Sequence, residues 1–178
     1  MAHETLKSFI RAPLSVKDRM VMGKAYRQKT PRSTLGDYPI KHRRLDAVNI
    51  IARQAESRFP DLIPIRHARM AVDPFAFFRG GAAIMAQDLA PLSSPAIHVQ
   101  LCGDMHVSNF GFFSTTERRL VFGINDFDET LPGHFDWDLK RLAASATVAV
   151  RFMGGDKATA EEAAQAIVRS YRKQIGRA

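Results

Sequence analysis

Two acidic loops, spaced by the length of a hairpin, constrain this chain more than any other feature. Gly103-Asp104-Met105-His106-Val107-Ser108-Asn109 places an amide five positions after a carboxylate, and Ile124-Asn125-Asp126-Phe127-Asp128 begins fifteen residues after Asn109. Oxygen donors in this order suit nucleotide phosphates and a divalent metal, because magnesium takes few protein ligands and completes its shell from phosphate and water. To work together, the two loops must meet at the ends of strands.

The hydropathy pattern predicts such strands. Ile97, Val99 and Leu101 alternate with His98, Gln100 and Cys102, the period of a strand with one buried face, and this strand delivers Asp104 to its end. Residues 110–113 and 120–124 flank a polar stretch and predict a hairpin, while Leu131-Pro132-Gly133 reads as a turn. Residues 64–70 are expected to be extended.

Helices are predicted around these strands. A basic helix over 15–29 carries Ser15 and Asp18 at capping-box-like spacing, and a second over 44–58 repeats Leu45, Val48, Ile51 or Ala52, Ala55 and Phe59 at three- and four-residue intervals. The aromatic entry Phe75-Ala76-Phe77-Phe78 leads through Arg79-Gly80-Gly81 into a helix over 82–89. A helix from Trp137 or Asp138 to about Met153 should bury Leu139, Leu142, Ala143, Ala146, Val150 and Met153 before Gly154-Gly155 ends it. The last helix, with Thr159 as its cap, presents Ala163, Ile167, Tyr171 and Ile175.

At 178 residues and 46% apolar content the chain suits a single domain with a sizeable core. Cys102 is the lone cysteine, so no internal disulfide is expected, and Lys7 and Arg11 interrupt any signal-like run near Met1. The expected home is the cytoplasm. The longest apolar run, residues 142–150, is far shorter than the roughly 20 residues a bilayer requires, so no membrane partner is expected. The charge of +8 sits in front: residues 1–70 carry 15 Lys or Arg against 6 Asp or Glu, and residues 71–178 carry 11 against 12. Phosphate-bearing partners follow from this, but without an aromatic-rich recognition motif nucleic acid is not the expected one. The organisation expected is a basic helical front, 1–70, and a core, 71–178.

A phosphoryl transferase needs a carboxylate beside the attacking hydroxyl and oxygen ligands that hold magnesium against the phosphates. Asp104 fits the base, Asn109 and Asp126 fit the metal ligands, and Asp128 shares the metal or supports it. Arg79 is placed to reach phosphate or to pair with a loop carboxylate. Asp138, at a helix start, reads as a cap or loop tether rather than a catalyst.

The Gly103–Asn109 segment resembles the catalytic loop of aminoglycoside phosphotransferase and choline kinase relatives, in which Gly-Asp-x-His-x-x-Asn replaces the protein-kinase form. Asp126-Phe127-Asp128 resembles their metal-binding segment, and Trp137-Asp138-Leu139-Lys140-Arg141-Leu142 the helix start that follows it. Together with Pro74-Phe75-Ala76-Phe77-Phe78-Arg79-Gly80 and residues 125–133, these segments also resemble the bacterial family catalogued as domain of unknown function 2252. The resemblance implies an α+β fold: a protein-kinase-like catalytic lobe, mainly helical with a small antiparallel hairpin sheet. It implies ATP and Mg2+ as cofactors, a nucleotide and a hydroxyl substrate as partners, and His106 as a loop organiser on the cofactor side with Arg79. It further implies an incomplete lobe, a partial domain over 1–178 lacking a companion lobe, whose catalysis alone is not expected.

Two other classes compete. A metal-dependent phosphoesterase would draw on Asp126, Asp128, His134 and Asp136, yet the chain has neither an early Asp-x-His pair nor a later Gly-Asn-His. A non-catalytic lobe that binds nucleotide or a partner is the other.

Overall fold

Ser15 starts the first helix: its hydroxyl accepts from the Asp18 amide at 3.1 Å and donates to the Asp18 carboxylate at 2.6 Å, so α1 runs Val16–Lys29. The computed structural model describes residues 14–38 and 46–176. The described parts of residues 1–37, with 93–96, form one compact unit, and those of 38–92 and 97–178 form a second, larger one. In the first unit α1 buries no residue, as expected of a helix so rich in charge, and a 3-10 turn covers Arg32–Gly36.

The second unit begins with a capped helix. Asp46 accepts from the Val48 amide at 3.0 Å and opens α2, Ala47–Ala55; the predicted start at Arg44 lies outside the described residues. After a 3-10 turn at Pro60–Leu62 comes α3, Ile63–Met70, where an extended segment was expected. Pro64 misleads because it occupies the first helical turn, where its missing N–H would have no partner anyway. Asp73 accepts from the Ala76 amide at 2.7 Å and starts α4, Pro74–Gly80; Gly81 breaks the helix, and α5 follows at Ala82–Leu89. Ile50, Ile51, Met70 and Ile84 form a buried cluster with Ala47 and Ala83 packed on it. Gly80 leaves room for this packing, since a Cβ would stand 2.5 Å from the Met70 sulfur and force that side chain to shift.

Two small antiparallel sheets follow. Strand β1, His98–Leu101, pairs with β4, Leu131–His134, in the register Leu101 to Leu131 and His98 to His134. The expected turn at Leu131-Pro132-Gly133 is therefore a strand. Gly133 permits the pairing: a Cβ there would come 2.6 Å from a Leu101 methyl. The expected buried face of β1 is also corrected, because Leu101 is 2% exposed but Val99 is 41% exposed. Only the end of this two-stranded ribbon is covered. Strands β2, Phe110–Ser114, and β3, Leu120–Ile124, form the predicted hairpin, with Phe112 opposite Phe122.

Helix α6, Asp136–Phe152, packs on α7, Lys157–Ile175. The face α6 buries deepest holds Asp136, Arg141, Ser145 and Ala146, whereas Met153, expected inside, is exposed. Polar groups occupy that face because they find partners there: Ser145 bonds the Val107 amide, Arg141 the Asp104 carboxylate and the Phe78 carbonyl, and Asp136 pairs with Lys140. Asp156, not Thr159, caps α7, accepting from the Thr159 amide at 2.7 Å. The last stripe is likewise shallow: Ala160 is buried while Tyr171 and Ile175 are exposed. The fold is α+β, mainly helical with small antiparallel sheets. Among the described residues no helix is long and apolar enough to cross a membrane.

Candidate functional site

The loop after β1 is fastened to α6 at two points. The Asp138 carboxylate accepts from the Cys102 amide at 2.7 Å and the Gly103 amide at 3.1 Å. Burial pushes the Asp138 carboxyl up from the ordinary aspartate value, with the two amide bonds pulling the other way. Asp138 is thus the tether its sequence position suggested. Further on, the Ser145 hydroxyl, fully buried, accepts from the Val107 amide at 3.1 Å and donates to the Leu142 carbonyl at 2.7 Å. Gly103 makes the bend with φ +84°, and any Cβ there would stand 1.9 Å from the Glu129 carbonyl oxygen.

Asn109 joins the two acidic loops. Its amide nitrogen donates to the carbonyl oxygens of Asp104 and Asp126, both at 3.1 Å, and its amide oxygen accepts from the Asp126 N–H at 3.0 Å. The side chain is 4% exposed, so these bonds form away from water. Cys102, also buried, donates its thiol to the Asp126 carbonyl at 3.3 Å, and burial pushes that thiol's pKa up. The Asp128 amide donates to the Asp126 carboxylate at 3.0 Å, which orients it.

Asp104 has a partner that the sequence reading did not assign. Arg141 Nε donates to Asp104 Oδ1 at 2.8 Å, and Arg141 Nη2 bonds the same oxygen. Nη2 also donates to the Phe78 carbonyl at 2.8 Å, and the guanidinium lies 4.5 Å from the Phe78 ring centroid. The pairing expected as one option for Arg79 is made by Arg141, three residues after Asp138 on the same helix. That helical spacing was the available signal. His106 Nε2 stands 3.6 Å from Asp104 Oδ2, with Phe75 edge-on at 6.5 Å. Burial lowers the His106 pKa; Asp104 opposes that, and Arg79 and Arg141 reinforce it, so the ring is neutral at pH 7.

Asp104, His106, Asp126 and Arg79 all line one cavity of about 680 Å³. Asn109 lies behind its wall as the brace, and Asp128 is exposed beside Asp126 without lining it. Arg58, Arg66 and Arg69 also line the cavity and escaped the sequence reading, which counted them only toward the charge of the basic front.

Among the described residues no three His, Cys, Asp or Glu side chains group to hold a metal ion. Magnesium needs no such cage: the exposed Asp126 carboxylate is a hard donor on the cavity lining and fits the protein's share of a shell completed by phosphate and water, whereas the Asn109 amide oxygen, expected as a second ligand, is buried and taken by the Asp126 N–H. His134 and Asp136, the additional ligands a phosphoesterase would use, are engaged elsewhere. His134 stacks on His98 at 4.4 Å, and Asp136 pairs with Lys140 at 2.8 Å.

Helices around two small antiparallel sheets, with two acidic loops braced at the wall of one cavity, define an α+β domain with a candidate polar site. Residues 58–178 match the family model described as "Uncharacterized protein conserved in bacteria (DUF2252)", and the chain belongs to that family. No curated protein and no solved structure matches the chain.

Proposed function

We propose that this domain is a kinase-like phosphotransferase lobe that uses a magnesium-nucleotide site, with Asp104 as the catalytic residue. The observation that carries the reading is the Asn109 brace: one buried side chain ties the backbones of Asp104 and Asp126, and both aspartates line the same cavity. Asp126 would hold magnesium, with Asn109 fixing its loop from behind the cavity wall, and the metal would supply neutralisation of the phosphate charge when bound.

The chemistry assigned to the chain's own groups is brief. Asp104 receives the proton of the acceptor hydroxyl as that oxygen bonds to the γ-phosphorus of ATP, and the bond from that phosphorus to the β,γ-bridging oxygen breaks to release ADP. Arg141 fixes Asp104 Oδ1, which leaves Oδ2 for the proton. Arg79 and His106, which line the same cavity, would face the phosphates. The lone buried Cys102 fits a reducing cytoplasm.

A second reading, a lobe that binds nucleotide or a partner without catalysis, is favoured by one feature. Asp104 Oδ1 is already taken by the buried Arg141 guanidinium, which leaves a single carboxylate oxygen for an acceptor hydroxyl. Calorimetric titration with ATP, with and without magnesium, tests the proposal. Magnesium-dependent binding abolished by Asp126→Asn supports the site, and binding without phosphate transfer to any hydroxyl compound moves the choice to the second reading. Absence of ATP binding overturns both nucleotide readings.

A further inference from the structure

The cavity that holds Asp104 and Asp126 is cationic beyond what its carboxylates balance. Arg58, Arg66, Arg69 and Arg79 line it. Among the described residues Arg58 has one long ion contact, with Glu129, 3.7 Å between two side chains each about two fifths exposed, which contributes little in water. Arg66 is anchored by neutral acceptors, Gln54 Oε1 at 3.0 Å and the Gly80 carbonyl at 2.9 Å, and its Nη1 is buried without a hydrogen-bond partner among the described residues. Burial and the neighbouring Arg58 press the Arg66 pKa down, with the charges of Glu129 and Asp104 opposing them, and no carboxylate bonds the guanidinium directly among the described residues. Arg69 and Arg79 make no ion pair among the described residues, and both are exposed. Asp104, by contrast, is already neutralised by Arg141.

The remaining wall is apolar. Phe59, Leu62 and Ile65 line the same cavity and are 78%, 56% and 50% exposed. An apolar strip that carries guanidinium groups, beside a carboxylate able to face a hydroxyl, selects a ligand with an apolar body and an anionic end. Arginine rather than lysine at these positions favours planar, two-point recognition of phosphate or carboxylate.

We infer that the acceptor is an amphipathic anion: a hydroxyl compound whose phosphate or carboxylate group rests on Arg58, Arg66 and Arg69, and whose body lies along Phe59, Leu62 and Ile65. This deepens the phosphotransferase reading above and rests on it for the role of the hydroxyl. The anion site itself stands on the cavity lining alone.

The test is a titration of the full chain with phenyl phosphate, phenylacetate and neutral benzyl alcohol, without nucleotide or metal, followed by chemical-shift changes. Saturable binding of either anion, weakened by salt and absent for benzyl alcohol, is expected, and the tighter of the two anions identifies the group recognised. Arg58→Gln and Arg69→Gln, both at exposed positions, should each weaken the anion by about tenfold while leaving the dispersion of the spectrum intact. Arg66→Lys, which keeps the charge but loses the fork, should weaken it as well. Failure of both anions to bind overturns the inference, as does binding that is indifferent to all three substitutions. Magnesium-ATP is titrated in parallel. If the arginine variants lose magnesium-ATP and the wild type binds neither anion, the arginines serve the nucleotide; the acceptor inference falls and the phosphotransferase reading stands. If the anions bind as expected and magnesium-ATP does not bind the wild type, the anion site stands and the phosphotransferase reading falls.

Discussion

Arg141 Nε donates to Asp104 Oδ1 at 2.8 Å across a sequence separation of 37 residues, which locks helix α6 to the first acidic loop. The guanidinium is 4% exposed and the carboxylate 21%, so neither is well hydrated. Arg141→Met should therefore cost about 3 kcal/mol, as removing one member of a largely buried pair strands the other. Urea unfolding measures it. Pairing Arg141→Met with Asp104→Asn should recover part of that loss, and additive losses in the double variant would show that the two side chains do not interact.

Asn109 makes three bonds that no other side chain of similar size can make together. Asn109→Asp keeps the shape but turns an acceptor toward the carbonyl oxygens of Asp104 and Asp126, which now receive from the amide nitrogen. A loss of about 2 kcal/mol or more is expected, larger than for Asn109→Ala, since it adds repulsion to the unmade bonds. Thermal unfolding of both variants ranks them; equal midpoints would contradict the brace.

Gly103→Ala should be more damaging than its size suggests. The residue sits at φ +84°, and the added carbon would meet the rigid Glu129 carbonyl at 1.9 Å. Backbone strain alone costs about 1 kcal/mol or more, and the displaced loop adds to it. A variant with unchanged midpoint in a thermal melt would mean that the two loops are not in contact there.

How much of this was legible follows from which contacts are local. The caps at Ser15, the three- and four-residue spacing of α2 and the hairpin around 114–119 are settled by neighbours in sequence, and they were readable. Strand β4 was not, because Leu131-Pro132-Gly133 has turn chemistry and becomes a strand only through its pairing with β1. Helix α3 was hidden by Pro64, whose meaning depends on whether it falls in the first turn or later. At the site, the spacing of Asp104, Asn109 and Asp126 marked two loops that the fold joins, but the carboxylate's partner lay on a distant helix, and Arg79 and Arg141 are equivalent until the chain is folded. Arg58, Arg66 and Arg69 were lost in the general basicity of the front, which conceals that they face one cavity.

His106 gives a pH signature. Its folded-state pKa lies below the ordinary value of 6.5, so the folded protein binds fewer protons there than the unfolded chain does. The stability contributed by this group is fully present above about pH 6.5 and is lost as pH falls through the lowered value. Between pH 7 and 5, His106→Leu should flatten the fall of the unfolding free energy relative to wild type. Parallel curves would mean that the ring is not held neutral.

Paramagnetic broadening tests most directly whether the two loops that Asn109 braces, with Asp104 and Asp126 at the cavity, surround one cation. With ATP present and a trace of Mn2+ replacing Mg2+, amide resonances of residues 104–109 and 125–128 should broaden first while those of α7 remain sharp, and Asp126→Asn should abolish the effect. Broadening centred elsewhere, or unaltered in Asp126→Asn, would contradict the account.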